Sequence, residues 1–254
     1  MKSGMRWRVA DRTVERVACL GSSTTAAQGT YNWIAELVRR PQNCRFQFVN
    51  LGVGGDLSFN TRIRVARAIE ARPNRVIVLI GANDILAGVF PNFRRFARRF
   101  KGLSQEPSVD AFRGNLVDIA RCLRDETSAM IALSSLAPVG EDPDSDDPIQ
   151  AELNGLFAEY SRVVQEVASD CGAYYIPFYE RFVEALRDAA THKPFNRLSF
   201  PALYKDHLFR AFVRRRSFDE IARSNGWQFH IDGIHLNTRG GRILVEAAQG
   251  FLDT

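Results

Sequence analysis

Four short polar clusters hold the residues of this 254-residue chain that could do chemistry: Gly21-Ser22-Ser23-Thr24, Gly52-Val53-Gly54-Gly55-Asp56, Gly81-Ala82-Asn83-Asp84 and Asp232-Gly233-Ile234-His235. Together they supply a hydroxyl, an imidazole, a carboxylate, a side-chain amide and two glycine-flanked turns, which are the parts for acyl transfer through a serine nucleophile. Ser23 is the candidate nucleophile, because a serine at a strand-to-helix turn projects from the sheet edge and its own N–H points into the same space. His235 is the candidate general base, since an unperturbed imidazole titrates near pH ~6.5 and can accept the serine proton at neutral pH. Asp232, three residues earlier, would hold the other ring nitrogen and stabilise the imidazolium. The Asn83 amide can donate to a developing oxyanion without adding a competing charge. Gly54-Gly55 permits a positive-φ turn that leaves an N–H aimed at the crevice.

Each cluster also has a plainer reading. Serine caps helices, and Gly, Asn and Asp fill turns; Asp84 reads as a cap for the residues just after it. Asp232 and His235 could share a metal, but His192, His207 and His230 show no spacing with His235 that suggests a site. No cysteine pair has metal-ligand spacing either. The phosphate-cradle patterns Gly-x-x-x-x-Gly-Lys-Ser/Thr and Gly-x-Gly-x-x-Gly are absent from the strand ends.

Placement weighs more than any single cluster. Strand signals at Val17–Leu20, Phe46–Leu51, Val76–Ile80, Met130–Leu133 and Ala173–Ile176 alternate with helical patterns from one end of the chain to the other. The helical stretches are Tyr31–Arg39, Ser58–Ala71 (Ile63, Ala66 and Ile69 inward), Asp110–Glu126, Ile149–Ser169, Phe178–Ala190 and Thr238–Phe251. Five apolar residues in a row at Val76–Ile80 suit a central parallel strand buried on both faces. The alternation predicts a single α/β domain over residues 1–254, a three-layer α/β/α sandwich on a flavodoxin-like, five-stranded parallel sheet. In such a sheet the loops leaving the carboxyl ends converge on one edge, where ligands bind, and three of the four clusters directly follow a strand. Two segments, about 86–109 and 191–229, exceed ordinary loop length and read as inserted helical lids or substrate walls, or as extra helices packed on the core. The acidic stretch Glu141–Pro148 reads as a surface loop.

The charge balance is mildly basic: 34 Lys and Arg against 29 Asp and Glu, or +5. Arginines gather at Arg94-Arg95, Arg98-Arg99-Lys101 and Arg214-Arg215-Arg216 without any nucleic-acid-binding motif, which favours an anionic substrate or membrane surface over nucleic acid. No run approaches transmembrane length, and the first residues lack a secretory signal. Four cysteines, at least one inside a core strand, fit reduced thiols and a cytoplasmic location.

The four clusters, in this order and with Asp-x-x-His near the C-terminus, resemble the SGNH hydrolases, also called the GDSL-like esterase/lipase family. The resemblance spans Val17 to Leu252 apart from the two insertions. It implies that Ser23 is the nucleophile, that the N–H groups of Ser23 and Gly55 and the amide of Asn83 form the oxyanion hole, and that Asp232 and His235 complete the triad. It further implies a small-molecule carboxylic ester as substrate, anionic or lipid-like in view of the charge, and no metal or organic cofactor. Two departures stand out: Ser22 occupies the position where the family carries Asp, which leaves Ser22 and Ser23 competing for the role of nucleophile, and Leu236 stands where proline is frequent. An acyltransferase on the same scaffold and a catalytically silent binding module remain open at this point.

Overall fold

The computed structural model describes residues 14–195, 209 and 215–254. Five strands, β1 (Glu15–Gly21), β2 (Phe46–Gly52), β3 (Arg75–Leu79), β4 (Met130–Ser134) and β5 (Tyr174–Ile176), pair in the order β2-β1-β3-β4-β5. Every pairing is parallel. This is the flavodoxin-like order the alternation predicts. All five residues of β3 are buried, as a central strand covered on both faces requires.

Helices complete the sandwich. On one face α2 (Trp33–Arg39), α9 (Phe178–Arg187) and the C-terminal α11 (Thr238–Leu252) pack together. The other face carries α3 (Ser58–Ile63), α4 (Ala66–Glu70), α7 (Val109–Glu126) and α8 (Pro148–Asp170). Phe112, Leu116, Ile119 and Leu123 form the buried stripe of α7, at the 3–4-residue spacing expected of an amphipathic helix.

The strand ends are in register at the functional edge. Gly21 pairs with Gly52 of β2 and Leu79 of β3, so three chain segments leave the sheet side by side. The one-turn helix α1 (Ser23–Ala26) folds straight back over this edge. It can do so because Gly21 lacks a side chain: a Cβ there would lie 2.1 Å from Thr25 Oγ1 and 2.4 Å from the Leu79 carbonyl.

Several local expectations need correction. The helix predicted over Ser58–Ala71 is two short helices, α3 and α4, broken around Arg64. The break shifts the phase, so that Ile63 is 64% exposed and Ala66 is exposed, while Thr61, Val65 and Ala68 turn inward. Glu141, which begins the stretch expected to be a surface loop, is fully buried. The insertion at 86–109 is helical: α5 (Ala82–Val89) runs into it, and α6 (Pro91–Phe100) comes next. In the second insertion α10 (Phe218–Ser224) carries the buried Ile221; Phe200, His207, Leu208, Phe212 and Arg214 lie outside the described residues. Among the described residues, no helix is long and apolar enough to cross a membrane.

Candidate active site

The carboxyl edge of the sheet opens into a cavity of about 450 Å³ lined by parts of all four clusters: Ser23, Gly54, Gly55, Asn83, Ile234 and His235. Ser23 stands at the first position of α1, immediately beyond β1. That position leaves its N–H without an intrahelical acceptor. Ser22 is buried beneath it and faces a neighbouring space of about 30 Å³ against Leu79, Ile80 and Gly81. Of the two serines, then, Ser23 shares the main cavity with the imidazole.

Asp232 and His235 form a tight local unit. His235 Nδ1 lies 2.8 Å from Asp232 Oδ2, and Asp232 is completely buried. The other carboxylate oxygen accepts the backbone N–H groups of Ile234 at 3.0 Å and His235 at 2.8 Å. A carboxylate receiving these bonds calls for the proton on Nδ1, which makes Nε2 the acceptor nitrogen.

The oxyanion candidates are positioned in different ways. Gly55 sits at φ +75°, where a Cβ would also come within 3.0 Å of Lys101 Cε and 3.2 Å of Phe96 Cε1. Only glycine meets both demands without strain. Asn83 Nδ2 donates to the Asp56 carbonyl at 2.9 Å, which fixes which end of the amide is the donor and leaves its second N–H for a ligand. Among the described residues, the N–H groups of Ser23 and Gly55 donate to no protein acceptor.

The bracing comes from Arg64 and Glu141, which sequence reasoning passed over, and from Asp56 and Asp84, whose partners it did not foresee. Asp56 is buried between Arg64 (2.7 Å) and Lys101 (2.9 Å). Arg64 also donates to the carbonyls of Leu51 (2.6 Å) and Gly21 (2.8 Å), tying the ends of β1 and β2 to the Gly54-Gly55 turn. Asp84 sits in the first turn of its own helix but sends its main bonds elsewhere. It accepts from Ser58 N at 2.9 Å and Ser58 Oγ at 2.6 Å, so it caps α3, and Asn115 donates to the same hydroxyl at 3.0 Å. Burial pushes the Asp84 carboxyl up to about 6 against the opposing pull of the Ser58 bonds.

Glu141 braces the histidine loop. Its carboxylate accepts the N–H groups of Gln228 (2.8 Å), Phe229 (2.7 Å) and His230 (2.8 Å), and His230 Nδ1 lies 3.0 Å away. Burial raises its pKa, but the His230 ring and the N–H donors outweigh this, and the carboxyl rests below the ordinary glutamate value. Among the described residues His230 Nε2 is buried without a partner, which suits a bare lone pair better than an N–H. Gly140 N donates to the Gly233 carbonyl at 2.8 Å, so the loop after β4 grips the Asp232–His235 segment on both sides of Asp232. A short-range signal for Glu141 or Arg64 does not exist in the sequence: each acts on residues far away in the chain.

A 2-1-3-4-5 parallel sheet with a serine, an amide and an aspartate-held imidazole on its carboxyl edge defines the class, an α/β protein of ester-hydrolase type. The chain belongs to the GDSL-like Lipase/Acylhydrolase family, whose model matches residues 19–243, and is by that membership a carboxylic ester hydrolase of the GDSL/SGNH type. The matched stretch takes in all four clusters. Among solved structures it is similar to Axe2, an acetylxylan esterase from Geobacillus stearothermophilus, with 17% identity, 94% of each chain covered and a TM-score of 0.61. It is also similar to LAE5, an alpha/beta hydrolase enzyme from the metagenome of Lake Arreo, Spain, at 16% identity and a TM-score of 0.62, over 93% of this chain and 94% of that one. At such identities the likeness is one of fold. No curated protein matches the chain in sequence.

Proposed function

We propose that this protein hydrolyses carboxylic esters through an acyl-enzyme on Ser23. Ser23 Oγ attacks the ester carbonyl while His235 Nε2 takes the hydroxyl proton, and Asp232 keeps the ring in the required tautomer and stabilises the imidazolium. The oxyanion of the tetrahedral intermediate lies between the N–H groups of Ser23 and Gly55 and the free N–H of Asn83. His235 then delivers the proton to the departing alcohol. A water molecule, deprotonated by the same imidazole, attacks the acyl-enzyme and frees the acid.

One observation carries this reading: Ser23, Gly55, Asn83 and His235 line one cavity, and the histidine among them is held by a buried aspartate at 2.8 Å. The rest of the lining suggests the substrate. Leu57, Leu86, Ala87, Phe93, Phe96 and Ala97 make one wall apolar, and most of these come from α5 and α6. We read the first insertion as that wall, suited to an ester whose acyl or alcohol part is apolar. Acetylated sugars, the substrate class named for Axe2, are a narrower case of the same chemistry.

A fluorophosphonate probe, which reacts only with an activated serine hydroxyl, tests the assignment. The wild type and Ser22→Ala are expected to label and Ser23→Ala to remain unlabelled, with folding checked by circular dichroism. Labelling that survives in Ser23→Ala, or disappears in Ser22→Ala, moves the nucleophile elsewhere.

A further inference from the structure

Helix α6, Pro91–Phe100, is strongly two-sided, and one of its edges is left largely to solvent. Phe93 and Ala97 face inward, toward Leu57, Ala87 and Leu103. One flank carries Arg94 and Arg98, and both are spoken for. Arg94 donates to the Ala87 and Gly88 carbonyls and pairs with Glu106 at 3.6 Å; Arg98 pairs with the same Glu106. The opposite flank alternates Arg95 and Arg99 with Phe96 and Phe100, each pair one helical turn apart. Phe96 is 47% exposed and Phe100 68% exposed, their rings 5.2 Å apart. The Arg99 guanidinium lies 5.6 Å from the centre of the Phe100 ring. Neither Arg95 nor Arg99 has an acidic partner among the described residues. Phe96 belongs to this flank and also to the lining of the catalytic cavity, so the flank begins at the mouth of the site.

We infer that the Arg95–Phe96–Arg99–Phe100 edge docks the enzyme on an anionic lipid surface and presents the cavity mouth to esters held there. A row of two exposed phenyl rings beside a row of two uncompensated guanidinium groups matches the boundary between anionic headgroups and acyl chains, where cations meet phosphate and rings meet hydrocarbon. A free anion would need donors converging in a hollow. These arginines stand on a convex helix edge, and a dissolved anion would leave the rings in water. A second copy of the chain would bring the same arginines against each other. The docking role rests on the ester-hydrolase reading only for what the surface delivers; the docking itself needs no chemistry.

The two can therefore fail separately. The full-length protein, as wild type and as Ser23→Ala, is sedimented with vesicles of phosphatidylcholine alone and of phosphatidylcholine mixed with phosphatidylglycerol. Both forms are expected to bind the mixed vesicles, to release as salt is raised, and to leave pure phosphatidylcholine largely unbound. At roughly fivefold per arginine near an anionic surface, the Arg95→Glu/Arg99→Glu double variant is expected to bind at least about tenfold more weakly. Phe100→Ser should also weaken binding, and both variants should hydrolyse a short, water-soluble nitrophenyl ester at the wild-type rate. Equal binding to the two kinds of vesicle, or unchanged binding by the double variant, overturns the proposal. So does salt-sensitive capture of single-stranded DNA without vesicle binding, which would give the edge to a nucleic acid. Inactivity of the wild type on every ester, with vesicle binding intact, would sink the hydrolase reading and leave the docking surface standing.

Discussion

Replacing Glu141 with alanine tests whether the histidine loop is held from outside itself. In the wild type the carboxylate accepts three backbone N–H groups, from Gln228, Phe229 and His230, at 2.7–2.8 Å, in a position with no exposure to solvent. Truncation leaves those donors buried without acceptors, at ~1–3 kcal/mol each before relaxation. The loop closes partly on itself, through Ile231 N to the His235 carbonyl at 2.7 Å and Asn237 N to the Phe229 carbonyl at 3.0 Å, so it can sag and admit water rather than bear the full cost. A loss of about 4 kcal/mol is expected, near the top of what single substitutions do. Glu141→Gln keeps one acceptor oxygen but turns an N–H₂ toward the remaining donors, and should lose about half as much. Urea unfolding followed by tryptophan fluorescence measures both. The loop runs directly into Asp232, so kcat on a soluble ester should fall by roughly 10-fold or more as the imidazole loses its setting, with KM less affected. A stability change under ~1 kcal/mol for Glu141→Ala, or an unchanged kcat in a folded variant, would refute the reasoning. The sign of the pH effect gives a further check. Because the folded-state pKa of Glu141 is depressed, its contribution is present above the unfolded glutamate value and is lost as pH falls through the lower folded one. Glu141→Gln should therefore lack that part of the acid destabilisation.

Two further outcomes rest on the same kind of bonding. On the proposed mechanism Asn83→Ala removes one oxyanion donor and should lower kcat by about 10²–10³ while leaving KM nearly unchanged; a drop of less than threefold in a folded variant would remove Asn83 from that role. Asp84 gives the opposite pH sign to Glu141: its folded-state pKa is raised from 3.8 to about 6, so the native state holds its proton more tightly than the unfolded chain and stability falls as pH climbs between these values. Asp84→Asn should flatten that part of the stability–pH curve, worth roughly 3 kcal/mol at ~1.4 kcal/mol per pH unit, and parallel curves for the two proteins would show that Asp84 does not titrate there.

How much of this is legible in the sequence depends on the range of the interaction concerned. The five apolar residues at Val76–Ile80 announce a doubly covered strand because burial on both faces is a property of the strand itself. The Asp232–His235 pair is close in sequence, and its hydrogen bond closes within three residues. The Gly21 turn is legible for a similar reason, although its steric cause, Thr25 and the Leu79 carbonyl, is visible only in three dimensions. The α3–α4 break defeats the pattern in part: Ile63 and Ala66 turn out to solvent, whereas Ile69 packs partly buried against the core as expected, beside Val65 and Ala68. A continuous apolar period gives no sign of the break, at which Arg64 reaches Asp56 and the carbonyls of Leu51 and Gly21. Asp84 resembles a local cap because capping is normally local, yet its partner Ser58 is 26 residues earlier.

Arg64, Asp84 and Glu141 share a logic that explains why they escape a reading by pattern. Each is a charged group in the interior, where ionisation is costly unless hydrogen bonds answer it, and each directs its bonds to a different loop of the site. Arg64 holds the Gly54-Gly55 turn, Asp84 joins the Asn83 turn to α3, and Glu141 holds the segment leading to Asp232. Apolar packing could secure the sheet just as well, but it has no direction. An oxyanion hole and an imidazole must be set to within fractions of an ångström, and directional bonds from outside each loop add to those the loop makes within itself, such as Asp232 to His235. Candidates for the chemistry can therefore be picked out by residue type, whereas the residues that aim them are defined by the partners that folding brings to them.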